Sequence, residues 1–317
     1  MPARAKRTPL TPVPTRPLGN TGADVSIIGL GGYHLGLVDT QAEAIRIIHE
    51  AIDAGVTFMD NAWEYHDGES EKRMGKALAR GKRGRVFLMT KVCTHGRDAK
   101  TAMRQLEQSL KRLGTDYLDL WQIHEVAYYN DPERHFMTGG AADALLAAKA
   151  QGKVRCIGFT GHKDPDLHLK MLSYDFPFDT CQLPLNCFDA TFRSFEQRVL
   201  PELVRRGIAA IGMKSFGGEA NMIKKKVVTP DEALRYAMSL PVAGTISGIE
   251  SLRVLRQNLR IARDFKPMSP VEMDTLRLRV AAEAADGRFE LYKVTAKHEG
   301  PEGRKQHGFP DDEEMAA

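Results

Sequence analysis

The chain has 317 residues, 42% hydrophobic and 27% charged, with 45 basic against 41 acidic side chains. That composition supports a sizeable core and excludes disorder over most of the length. A net charge of +4, interspersed in sign, lacks the one-sided basic footprint of a nucleic-acid binder.

Four cysteines (Cys93, Cys156, Cys181 and Cys187) show no paired metal-ligand spacing and read as reduced thiols. No run of about 18 apolar residues is present to span a bilayer. The N-terminal segment is basic but proline-interrupted and has no apolar stretch, so it does not read as a secretory signal. A cytoplasmic protein is expected, with no membrane or nucleic-acid partner; the sequence leaves its oligomeric state open.

In chain order, residues 1–15 read as a flexible extension. Leu18 to Asp24 reads as a short hairpin or loop before the first strand, placed to cover the N-terminal mouth of a barrel. Apolar, β-branched runs then recur at Val25 to Leu30, Val56 to Met59, Val86 to Thr90, Tyr117 to Ile123, Val154 to Thr160, Phe178 to Leu183, Ile208 to Met213 and Ala243 to Ile246. Their ends are about 31 residues apart, the size of one strand-plus-helix unit. Between them lie helical segments with legible ends. Thr40 and Glu43 form a capping pair closed by Gly55, and Met103, Leu106, Leu110 and Leu113 make one stripe between Asp98 and Gly114. Asp164 with Pro165, and Thr229 with Pro230, give a cap followed by proline at the first helical position. Eight equal units predict a (β/α)8 barrel over residues 16–285, preceded by the hairpin or loop. From Asp286 the periodicity gives way to glycine, proline and charge, which predicts a loosely ordered polar tail over 286–317, with one part folded over the active face.

In such a barrel the chemistry sits at the C-terminal ends of the strands. There the sequence places Asp60 and Tyr65 after the second run, Lys91 after the third and His124 after the fourth. Each has a structural reading alone: a cap for Asp60, packing for Tyr65, ion-pair partners for Lys91 and His124. Their arrival from three consecutive strand ends points instead to a site. A cation beside a phenol lowers its pKa, making a general acid, and a histidine beside it would polarise a carbonyl. Carbonyl reduction needs a hydride that no side chain supplies, which implies a nicotinamide cofactor.

These residues resemble the aldo-keto reductase superfamily, NAD(P)H-dependent reductases on a (β/α)8 barrel, over roughly Arg16 to Asp264. The resemblance rests on D-x-A-x-x-Y at Asp60 to Tyr65, on G-E-S-E at Gly68 to Glu71, and on Lys91 and His124. It implies Tyr65 as proton donor, Lys91 lowering its pKa, Asp60 paired with Lys91, and His124 orienting the carbonyl. For the cofactor it implies Thr160 and Gln182 on the carboxamide, Met213 against the ring, Lys214, Ser215, Gly217 and Gly248 near the phosphates, and Gln257 and Asn258 toward the adenine. Gly32, Tyr33 and Asp60 complete that set. NADPH is the coenzyme the resemblance implies, and NADH is possible because the usual cations for a 2′-phosphate are not in register, with Arg253 or Arg256 as substitutes. Tyr33, Trp63, His124 and Tyr128 are the expected substrate contacts, with Tyr129 beside them, favouring apolar or aromatic aldehydes and ketones.

Other functions fit less well. A Schiff-base aldolase would use Lys91 or Lys214 but leaves the Asp60–Tyr65 spacing unexplained. A metal hydrolase lacks an H-x-H pair on the first strand, so no metal is expected, and strand seven ends in Lys214 where a glycosidase would need an acid. A slow, cofactor-binding redox sensor or regulatory subunit is the non-catalytic alternative.

Overall fold

The structure, a computed structural model, describes residues 11–93 and 97–309. Its centre is a closed barrel of eight parallel strands: β3 (Ile28–Gly31), β4 (Phe58–Asp60), β5 (Phe87–Val92), β6 (Leu118–Ile123), β7 (Val154–Thr160), β8 (Thr180–Pro184), β9 (Ala209–Met213) and β10 (Gly244–Gly248), with β10 pairing back onto β3. These are the eight predicted runs. The first is shorter than expected, because Val25 belongs to a separate antiparallel hairpin, β1 (Thr15–Pro17) with β2 (Asp24–Ser26). The predicted Leu18 to Asp24 segment is the turn of that hairpin. Of the expected N-terminal extension, residues 1–10 lie outside the described chain.

Apolar side chains divide into two cores, as the barrel geometry requires. One fills the barrel interior with Phe58, Met89, Leu120, Ile211 and Ile246, and Leu18 and Val25 of the hairpin join it from below. The larger core lies between strands and surrounding helices. The helix Ala99–Leu113 shows why these segments are helical. Asp98 accepts a hydrogen bond from Thr101 N at 2.7 Å, Ala102, Leu106, Leu110 and Leu113 face the barrel, and Gly114 ends the helix at φ 64°. The caps at Thr40, Asp164 and Thr229 form as the sequence predicts.

The chain beyond Asp286 differs from the expected loose tail. Residues Leu291–Val294 and Pro301–Gln306 are helical, and Tyr292 and Lys293 are fully buried. Lys293 Nζ donates to Asp189 Oδ1 (2.6 Å), Glu290 Oε2 (3.0 Å) and Phe192 O (2.8 Å), so specific polar partners hold a segment that composition marks as unstructured. This strap crosses the C-terminal rim of the barrel; residues 310–317 of the predicted tail lie outside the described chain. Among the described residues no helix is long and apolar enough to cross a membrane.

Candidate active site

Strand register sets the site. Gly31 pairs with Asp60 and Gly248, and Lys91 with Gln122, so the ends of β10, β3, β4, β5 and β6 form one continuous rim. Gly32 sits where an added Cβ would be 2.6 Å from Asp60 O, so a glycine is what allows the chain to turn here.

Asp60 and Lys91 are buried against each other. Lys91 Nζ donates to Asp60 Oδ1 and, at 2.7 Å, to Asn61 O. Burial pushes the Asp60 carboxyl up, and the Lys91 charge opposes that. Tyr65 starts a tight turn in which His66 and Asp67 are left-handed, at φ 52° and 54°. The turn is held from behind by the G-E-S-E segment. Ser70 Oγ donates to Gly32 O (2.7 Å), and Glu71 accepts from Thr90 Oγ1 (2.7 Å) and Arg112 (3.2 Å). Tyr65 thereby meets Tyr33 and His124 edge-on, at ring separations of 5.4 and 5.5 Å, with Lys91 Nζ 5.1 Å from its ring centre. The four expected residues are brought together.

The phenol itself is shifted opposite to the expectation. Burial, then the charges of Asp60, Glu64 and Glu125, hold the Tyr65 pKa well above that of an ordinary phenol. The physical reason is burial first, which disfavours the charged phenolate, with the Asp60, Glu64 and Glu125 carboxylates adding to it.

Two of those carboxylates were invisible as site residues in the sequence. Glu64 Oε1 lies against His124 Nδ1, and Glu64 Oε2 accepts from Cys93 Sγ at 2.9 Å. Glu125 is 5% exposed, its backbone is left-handed at φ 53°, and its pKa is pushed up to about 8, first by burial and then by Glu64. Its oxygens accept from Gly300 N of the strap at 3.1 Å each, and His162 Nε2 is 3.3 Å from Oε1. Burial, then the Lys214 charge, holds His162 well below the usual histidine range. Glu64, His124 and Glu125 present donor atoms all within 4.8 Å of one another. The available signal was positional, since each glutamate directly neighbours a predicted catalytic residue.

The expected cofactor residues follow the rim onward. Thr160 pairs in register with Gln182, which accepts from Gln122 Nε2 at 3.0 Å, and Thr160 Oγ1 lies 4.0 Å from Met213 Sδ. Lys214 is left-handed at φ 58°, and burial lowers its pKa. Ser215 Oγ and Asn258 Oδ1 are buried without a hydrogen-bond partner among the described residues, while Asn258 Nδ2 donates to Ser247 Oγ at 3.0 Å. An added Cβ on Gly217 would be 2.4 Å from Phe289 O, and one on Gly248 2.3 Å from His34 Cε1. Gln257 is half-buried and Arg253 exposed. Arg256, offered as a 2′-phosphate ligand, is engaged with Glu50 at 2.6 and 3.0 Å.

Of the expected substrate contacts, Trp63 donates its indole N–H to Gln108 at 2.8 Å and its ring lies beneath Arg112. Tyr128 donates to Glu299 Oε2 at 2.6 Å and packs on His307, while Tyr129 is 78% exposed. Tyr33, half exposed, remains beside Tyr65.

The sequence model of the aldo/keto reductase family matches residues 27–232. Aldo-keto reductase YhdN of Bacillus subtilis (strain 168) is 32% identical over 198 residues, 58% of this chain and 56% of its own length. The chain spans about half the length of the curated relatives it matches. Of solved structures, aldo-keto reductase AKR11C1 from Bacillus halodurans superposes with a TM-score of 0.70 at 21% identity, covering 84% of this chain and 96% of that one. An aldo/keto reductase from Klebsiella pneumoniae in complex with NADP and acetate does so with a TM-score of 0.66 at 24% identity, covering 84% and 95%. At these identities the structural likeness establishes the barrel.

Proposed function

The chain belongs to the aldo/keto reductase family, and from that premise we propose that it is a nicotinamide-dependent reductase of small aldehydes or ketones with Tyr65 as proton donor. The observation that carries this reading is the grouping of Tyr65 with His124 and the Asp60–Lys91 pair on one barrel rim.

Ser215 Oγ and Asn258 Oδ1, without a hydrogen-bond partner among the described residues, suit a polar ligand lying along the rim. Thr160, Gln182 and Met213 would hold the nicotinamide end, Lys214 and Ser215 the phosphates, and Gln257 and Asn258 the adenine end. A reduced nicotinamide held by these residues would supply hydride to the carbonyl carbon. Tyr65 donates its proton to the carbonyl oxygen, and its raised pKa keeps the phenol protonated through neutral pH. Lys91, facing the ring, stabilises the phenolate as it forms, in a buried setting where charge is weakly screened. His124, steadied by Glu64, orients the carbonyl. NADPH is the proposed coenzyme, consistent with the Klebsiella pneumoniae relative's complex with NADP.

The test is oxidation of NADPH and of NADH by purified protein against aldehydes and ketones, with Tyr65→Phe alongside. Tyr65→Phe is expected to lower kcat about 100-fold or more while coenzyme binding, followed by fluorescence, is retained. Full activity in that variant overturns the assignment. Coenzyme binding with no turnover in the parent protein favours the sensor reading instead.

A further inference from the structure

Three independent features single out Glu125. It follows His124 directly at the end of β6, its backbone adopts a left-handed conformation that is strained for a non-glycine residue, and its carboxyl is buried beside a second one. Strained backbone and buried charge of this kind persist where the surrounding structure enforces them, and they concentrate at functional sites. Proton donation by Tyr65 and carbonyl orientation by His124 use neither Glu125 nor His162.

We propose that Glu125, backed by His162, is a specificity-determining residue that accepts a hydrogen bond from a hydroxyl on the carbon next to the reacting carbonyl, so that the preferred substrates are small hydroxylated aldehydes or ketones. The inference rests on the reductase reading. The polar atoms of His124 and Glu125 lie within 4.8 Å of each other, a span that two oxygens on adjacent carbons bridge. With a pKa raised to about 8 the Glu125 carboxyl is mainly protonated at neutral pH, and in that form its carbonyl oxygen still accepts hydrogen bonds. Among the described residues, Gly300 N donates to Glu125 at 3.1 Å from both oxygens, and His162 Nε2 lies 3.3 Å from Oε1. An acceptor remains for a ligand. The Gly300 amide shows which chemistry this carboxyl takes, a neutral hydrogen-bond donor arriving from above the rim. An apolar substrate offers no such donor and would leave a buried carboxyl poorly satisfied.

The competing role is purely structural, with Glu125 serving only to anchor the strap at Gly300. The experiment compares glyceraldehyde, propanal and benzaldehyde as substrates of the full chain, its Glu125→Met variant and its Glu125→Gln variant, which keeps an acceptor carbonyl. The parent protein is expected to favour glyceraldehyde over propanal at least tenfold in kcat/KM, because a site built around a substrate hydroxyl discriminates strongly against analogues lacking it. Glu125→Met is expected to erase that preference mainly through KM, with a larger loss on glyceraldehyde than on propanal, and Glu125→Gln to restore much of it. Equal losses on glyceraldehyde and propanal would show an anchor only, and a parent preference for propanal or benzaldehyde would overturn the proposal. Binding of glycerol against 1-propanol by calorimetry, with NADP present, is read without turnover. If no carbonyl is reduced, tighter glycerol binding that needs Glu125 supports the subsite while the reductase reading fails. Equal binding of the two alcohols overturns the subsite, whether or not Glu125→Met folds.

Discussion

Tyr65 is surrounded by more negative than positive influence, with two consequences at the level of single residues. Because Glu64 helps hold the phenol protonated, Glu64→Gln is expected to lower the Tyr65 pKa. Reduction needs the protonated phenol and fails as pH rises through its pKa, so the alkaline limb of the kcat/KM profile moves to lower pH in the variant. A limb that stays in place means the Glu64 charge is not felt at the phenol. Glu125 has the opposite use of pH. Its folded pKa of about 8 stands above the usual carboxyl range, so its contribution to stability is fully present below about pH 4.3 and is lost as pH rises through about 8. Chemical denaturation from pH 5 to 9 is expected to show this decline in the parent protein and a flatter profile in Glu125→Gln. Equal slopes in the two proteins would contradict the raised pKa.

The hairpin β1–β2 is the element whose removal from water is most specific to this fold. Leu18 and Val25 close the lower end of the barrel interior against Phe58, Phe87 and Ile246, and Leu18 is fully buried. Leu18→Ala would leave a cavity there, at a cost of about 2–5 kcal/mol. The site lies at the opposite end of the barrel. Urea unfolding is therefore expected to show the loss while KM and kcat below the melting transition stay within about twofold; a stability change under 1 kcal/mol would mean the hairpin is not a plug.

Across the whole molecule, the strap unites distant parts of the chain on one face. Lys293 ties it to Asp189, Asn186 Nδ2 donates to Glu290 Oε1 (3.0 Å) and the Tyr292 hydroxyl (3.1 Å), and Lys163 donates to Thr295 O (2.9 Å) and Glu299 Oε1 (2.7 Å). Glu125 and Tyr128 reach it from the loop after β6. Lys293→Met would strand Asp189 and Glu290 as buried carboxyls, and breaking one partner of such a cluster costs about 3–5 kcal/mol. A lowered melting temperature with faster proteolysis between residues 287 and 309 is the expected result. Unchanged proteolysis of that segment would show that the strap is held by other contacts.

The local sequence determined the barrel's elements. A strand rich in β-branched residues, a capped amphipathic helix and a glycine stop are each written within about ten to fifteen residues, so eight repeats were countable and the rim bearing Asp60, Tyr65, Lys91 and His124 followed from their positions at strand ends. The same local reading left the segment after Asp286 loose, and over residues 287–309 the structure differs; nor did it give the direction of the Trp63 side chain. The side-chain direction of Trp63 is decided by Gln108 and Arg112, more than forty residues away. The order of the strap is decided by Asp189, Asn186 and Lys163, about a hundred residues away or more. The sign of the Tyr65 shift likewise depends on how charges from β4, β5 and β6 meet in a buried space. Electrostatics and side-chain packing act through distance in the folded chain, whereas periodicity and capping act along the sequence; only the tertiary structure brings Glu64, Glu125, His162 and Gly300 to one place.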